Sequence, residues 1–273
     1  MTAVFYDRLG SRLELEGWLV ATSALRIGEG RSLEADSADL PVVRDALGRP
    51  YIPGSSFKGC LRAHAEAMLR TLAGARGACD PLDEKARCVP DLVDFRRSRF
   101  QDDPDDQTLT QELYKATCWA CRIFGSPWMQ SRVQVRDLEV DGDLWAGQFQ
   151  IRNGVAIDRE TETASEGKLY DFEVVPAGVR FRLRLLVENP SPAECGLLMM
   201  ALRCFETGEV ALGGGRSRGL GACCINWERQ LYIDLGDRAK ALQFFAGEYR
   251  GEPISPEKIR SWVGDFQAAI LEA

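Results

Sequence analysis

The order of strand-like and helix-like segments predicts an α+β chain with a ferredoxin-like or RRM-like core, read as strand, helix, strand, excursion, strand, helix, strand. Three observations carry this expectation. Apolar residues alternate with polar ones in four separate runs, within residues 11–25, 132–140, 179–187 and 222–235. Helix-spaced apolar residues fill 55–72 and 192–207. A polar, glycine-containing excursion separates the second run from the third and is long enough to form a protruding hairpin. With 273 residues, 45% of them hydrophobic, the chain can bury a substantial core, and one unit with insertions is the simpler division. The expected parts are 1–73, the first half of the core; 74–130, a cysteine-bearing insertion; 131–235, the second half of the core with the excursion at 141–177 and a glycine-rich loop at 213–221; and 236–273, a helical extension.

Leu13, Leu15, Trp18 and Leu19 mark the first strand, and residues 26–45, rich in Gly, Ser and Asp, read as loop. Pro53 and Gly54 then stop an extended run. Ser55 or Ser56 can cap the helix that follows through Leu61, Ala65, Met68, Leu69 and Leu72. The free amides of its first turn, with Lys58 and Arg62 one turn apart, suit an anion; the plain alternative is an ordinary turn into a capped helix. Val133, Val135, Leu138 and Val140 predict the second strand, and Val179, Phe181, Leu183 and Leu185 the third. Leu197, Leu198, Met200, Ala201, Leu202 and Phe205 give the second helix a broad apolar face. The loop "GGGRSRGLG" at 213–221 is followed by a strand-like run, so Rossmann and P-loop readings lack the helix they require. Ser255-Pro256-Glu257 opens a final helix, whose stripe through Ile259, Trp262, Val263, Phe266, Ala269 and Ile270 is for packing, in this chain or against a neighbouring subunit.

Two constellations carry chemistry. Cys79, Cys88, Cys118 and Cys121 form two pairs, the second with the CxxC spacing that brings two thiolates to one tetrahedral zinc. A closed site of this kind would hold an insertion too poor in apolar residues to fold by itself. The first pair is looser, and His64, the only histidine, is an alternative ligand or an ordinary helix residue. Cys60, Cys195, Cys204, Cys223 and Cys224 read as small core residues. The second constellation is the loop with Glu34, Asp36 and Asp39, whose carboxylates can hold a divalent cation beside phosphate, serve in proton transfer, or simply face solvent.

The net charge of −7 argues against a generic polyanion binder. Charge is unevenly placed, however. Asp91, Asp94, Asp102, Asp103, Asp105 and Asp106 crowd one segment, whereas the glycine loop holds Arg216 and Arg218 and no acid. No apolar run is long enough to cross a bilayer, and the N-terminus has no secretory pattern. Nine cysteines, an odd number with four in metal-like spacing, fit a reducing compartment, so a cytoplasmic location is expected.

"PYIPGSSFKGCLR", residues 50–62, resembles the signature of the RAMP superfamily, the repeat-associated proteins that form the backbone of type III CRISPR effector complexes and bind guide RNA. Three further stretches fit in the same order: "CWACRIFGS" from Cys118, "VAIDRETETASEGKLYDFEVV" from Val155, similar to the family's thumb hairpin, and the loop 213–221. Together they span most of residues 11–225. The resemblance implies a zinc-binding insertion and a guide-binding groove. Candidate phosphate contacts are Lys58, Arg62, Arg152, Arg159, Arg216 and Arg218, with Gly214 and Gly215 among the glycines that let the backbone approach. Val155, Ile157, Leu169 and Tyr170 are candidate thumb residues, wedging into a guide–target duplex or packing the hairpin. The family's target-cleaving aspartate maps to Asp39 in "DLPVVRD", with Asp36 in reserve, and implies Mg2+ or Mn2+ and the adjacent ribose 2′-hydroxyl as nucleophile. Expected partners are guide RNA, target RNA and other effector subunits, including copies of itself, and no membrane. The alternatives are an inactive structural or capping subunit, and a stand-alone guide-processing endoribonuclease, which the lack of any early histidine except His64 disfavours.

Overall fold

The computed structural model describes residues 7–28, 30, 38–160 and 162–272. Period-two alternation becomes a one-sided strand in β1 (Ser11–Ala21), which buries Leu13, Leu15, Leu19 and Ala21. Chain order continues with β2 (Tyr51–Ile52), α1 (Gly54–Gly77), α2 (Leu92–Arg99), α3 (Asp106–Ala116), α4 (Trp119–Phe124), β3 (Val133–Val135), β4 (Leu138–Glu139), β5 (Gln150–Ile157), β6 (Ala164–Val174), β7 (Arg180–Glu188), α5 (Pro192–Glu206), β8 (Cys223–Asp234), α6 (Arg238–Phe245), β9 (Glu252–Pro253) and α7 (Pro256–Leu271).

The main sheet is antiparallel, with strand order β3-β7-β1-β8-β9. One face of it joins α1 and α5 in a single core, which holds Leu15, Leu183 and Ile225 together with Phe57 and Phe205, whose rings meet at a tilt 5.2 Å apart. The opposite face is tiled with ion pairs, among them Arg12–Glu188 at 3.0 Å and Arg229–Glu16 at 2.9 Å. Trp18 lies on that face under Arg180 and Arg182 and donates its indole N–H to Glu228. Beyond the sheet, β5 and β6 pair with each other as a hairpin.

Several local expectations change. Neither Ser55 nor Ser56 caps α1. The helix starts at Gly54, Pro53 occupies the cap position, and the Gly54 amide donates instead to Asp137 Oδ1 at 2.7 Å, a residue 83 positions away. The run 132–140 is two strands, because the pairing is interrupted at Arg136-Asp137: β3 joins the main sheet and β4 pairs with β2, while Val140 still bridges Phe181 of β7. Residues 74–130 are more ordered than their pattern predicts. Two of the crowded aspartates, Asp91 and Asp105, are N-caps of α2 and α3, and Val89, Leu109 and Leu113 form a small core between those helices. The final helix packs at home, burying Trp262, Phe266 and Ile270, with Phe266 edge-on to Trp119. Among the described residues no helix is long and apolar enough to cross a membrane.

Candidate functional site

The four cysteines meet where the C-terminal end of α1 faces the start of α4. Their sulfur atoms all lie within 4.8 Å of one another, and Cys79 and Cys121 are 3.6 Å apart. Thiolate bonds of ~2.3 Å to a tetrahedral zinc put sulfurs about 3.8 Å apart, so this set fits that ion and needs no histidine. His64 instead stands edge-on to Phe205. The Cys79 amide donates to Cys118 Sγ at 3.4 Å, as second-layer donors to bound thiolates do. Crowding divides the thiols: the hydrogen bond between Cys118 and Cys121 lowers the first and raises the second, while burial lifts Cys79 to about 11. A cleft of about 380 Å³ lined by Arg62, Cys79, Cys88, Cys121 and Ser131 reaches the cluster from outside.

Helix α1 braces this centre. Glu66, buried, accepts from Arg62 at 2.7 Å and from Arg70 at 3.1 Å, four residues to either side. Arg70 also donates to the carbonyl of Cys79 at 2.8 Å, and Arg62 to the Gly125 carbonyl at 3.1 Å and to Cys121 Sγ at 3.6 Å. Arg62 is therefore turned into the protein, although its spacing from Lys58 places both on one helix face. Burial, reinforced by the charge of Arg62, holds the Lys58 ammonium below its ordinary value; it donates to Ser131 Oγ at 2.7 Å from a half-buried position.

The acidic loop, the hairpin and the glycine loop meet at the base of β6. The Asp39 amide donates to Asp171 Oδ1 at 2.7 Å and the Asp171 amide to Asp39 Oδ2 at 3.2 Å, while Leu40 bridges Phe172 in parallel. One residue earlier on β6, the hydroxyl of Tyr170 accepts from Arg218 at 3.1 Å. Arg216 and Arg218 are exposed on a 3-10 turn between Gly215 and Gly219. Arg216 lies beside α1: burial raises the Cys60 thiol, and the charge of Arg216 pulls it back. Gly213, with φ +83°, must lack a side chain, because a Cβ there would stand 2.2 Å from the carbonyl oxygen of Arg26. Gly214 donates to that same carbonyl at 2.9 Å.

Arg152 is exposed on β5 directly opposite Phe172, beside this convergence; Arg159 is exposed just beyond β5, farther along the hairpin, and Val155 is half exposed. Ile157 and Leu169 belong to β5 and β6, but their side chains lie outside the described residues, as does Asp36 altogether. Sequence reading passed over Asp137, Asp171 and Arg26. Asp171 was legible only as one acid in "LYDFEVV", with nothing local to pair it with residue 39.

The RAMP superfamily matches residues 18–224, and the chain belongs to that family. Two curated proteins, each named CRISPR system Cms endoribonuclease Csm3, are similar to it. The one from Methanocaldococcus jannaschii is 26% identical over 78% of each chain, and the one from Methanothermobacter thermautotrophicus 23% identical over 93% of each.

Proposed function

We propose that this chain is a guide-RNA-binding backbone subunit of a type III CRISPR effector complex and that it cuts target RNA paired to the guide. One observation carries the reading: Asp39 and Arg218 are tied to consecutive residues of β6, Asp171 and Tyr170, so the candidate cutting carboxylate and the basic glycine loop are held against one strand. The names of the two relatives support endoribonuclease chemistry. In this reading the core is ferredoxin-like: β3, β7, β1 and β8 with α1 and α5 have the matching strand order, the β5–β6 hairpin is the thumb, and the cysteine segment is a zinc-stapled insertion.

Lys58, Arg216 and Arg218 face guide phosphates, and Arg152 and Arg159 meet RNA along the hairpin. These contacts position the strand, and the guide itself chooses the sequence. Val155 and Tyr170, with Ile157 and Leu169, splay one base pair so that a ribose 2′-hydroxyl lines up with its neighbouring phosphorus. Asp39 accepts a hydrogen bond from that hydroxyl, and the Asp171 amide keeps the carboxylate aimed. The two carboxylates suit a hard cation that keeps most of its waters, so Asp39 and Asp171 would hold Mg2+ or Mn2+, which supplies charge neutralisation at the phosphate.

A second reading, a guide-binding subunit that does not cut, is favoured by the same bond: the Asp39 carboxylate already ties its loop to β6. Asp39→Asn separates the two, because the amide oxygen can still accept from Asp171. In the assembled complex, target cleavage at this subunit's position should disappear while guide and target stay bound; continued cleavage refutes the nuclease role.

A further inference from the structure

Arg26 follows β1 and faces the glycine loop, yet nothing in its local sequence marks it out. Its guanidinium carbon sits 5.6 Å from the centre of the Phe172 ring. Its terminal nitrogens lie 3.3 Å and 3.2 Å from where Cβ atoms on Gly214 and Gly28 would stand, so two glycines leave the group uncovered by side chains. Nearby arginines are engaged by acids: Arg44 with Glu173, Arg49 with Asp45, Arg62 with Glu66. Among the described residues Arg26 has no such acid, and its Nε is buried without a hydrogen-bond partner.

A dry, unpaired guanidinium N–H is costly, and a structure keeps one where an acceptor arrives from outside. The vacant donor edge of a guanidinium matches two oxygens of one anion, and stacking on Phe172 fixes the plane of the fork. Arg218 is bonded to Tyr170, two residues along the strand from Phe172, and Gly214 is bonded to the Arg26 carbonyl, so the anion would lie against the basic loop. We propose that Arg26 grips an RNA backbone phosphate at the seam between the glycine loop and β6, a contact that rests on the RNA-binding reading above. The phosphate belongs to the guide or to the target paired with it, and both present the same oxygens.

Fluorescently labelled guide RNA, alone and annealed to target, is titrated into the protein and into the assembled complex across a salt series. Arg26→Met should weaken binding about tenfold at low salt and reduce the slope of log affinity against log salt by about 0.7. Arg26→Lys, which keeps charge but loses the fork, should fall between. Loss with guide alone assigns the phosphate to the guide, and loss only with the duplex assigns it to the target. Affinity and slope unchanged in Arg26→Met, while the Arg216→Glu/Arg218→Glu pair abolishes binding, would overturn the contact and leave the groove standing. Binding indifferent to all three arginines removes the groove and the contact together. If Arg26→Met melts early, Arg26→Lys decides, since an unchanged affinity in that variant also overturns the proposal.

Discussion

The thiol centre allows a quantitative test. Cys79 and Cys118 are 39 positions apart, and a bound metal closes that segment into a loop. The loop-closure entropy removed from the unfolded chain is worth about 4 kcal/mol at 25 °C, by analogy with a disulfide of that span. Spread over 273 residues unfolding together, that corresponds to a fall of about 7 °C in melting temperature when the clip is lost. The damage should centre on α4, since Trp119, Ala120, Ile123 and Phe124 enter the main core directly after Cys118. The assay joins metal analysis of Cys118→Ser/Cys121→Ser with melting curves of the unaltered protein before and after a strong chelator. We expect the double variant to lose its zinc equivalent and to melt with the chelated protein, and zinc to restore only the latter. A full equivalent retained in the double variant, or a melting temperature indifferent to chelation, would refute the four-thiol clip.

Arg62→Met should leave the fold intact but weaken zinc about 10–100-fold in chelator competition, because it removes the donor to Cys121 and half of the bracing of Glu66; unchanged zinc affinity argues against the bracing role. Gly213→Ala should cost at least about 2 kcal/mol in a denaturant titration, because it combines a left-handed backbone with a Cβ 2.2 Å from the Arg26 carbonyl oxygen. Arg132→Met strands Glu194, its buried partner at 3.6 Å, and should destabilise by roughly 3 kcal/mol, read as a lower urea midpoint at constant slope. Asp171→Ala should loosen the Asp39 loop and lower cleavage without releasing guide RNA; guide loss of the same size would show that the pair only holds the fold together.

Much of the architecture was legible along the chain. Alternation at Leu13, Leu15 and Leu19 and at Phe181, Leu183 and Leu185 located the central strands, because a strand with one wet face must alternate. The Ser255-Pro256 start of the final helix is local chemistry and lies where the sequence puts it, whereas the capping box at Ser191 and Glu194, equally local, was passed over. The start of α1 was misread for the converse reason. Two serines stood ready to cap it, but Asp137, at the break between β3 and β4, accepts from the Gly54 amide instead.

The candidate site divides in the same way. The types and spacing of Cys118 and Cys121, and of the two arginines in an acid-free glycine loop, belong to the sequence alone, because a few neighbouring residues suffice to present them. Whether Arg62 faces outward or toward Cys121, whether Asp39 stands by itself or bonds to Asp171 132 positions on, and whether Arg26 has a partner are matters of the tertiary structure. Those contacts join segments whose sequences carry no mutual signal, and only the packing of the folded chain brings them together. The residue types therefore announce the chemistry, while the packing of the sheet decides which side chains are free to perform it.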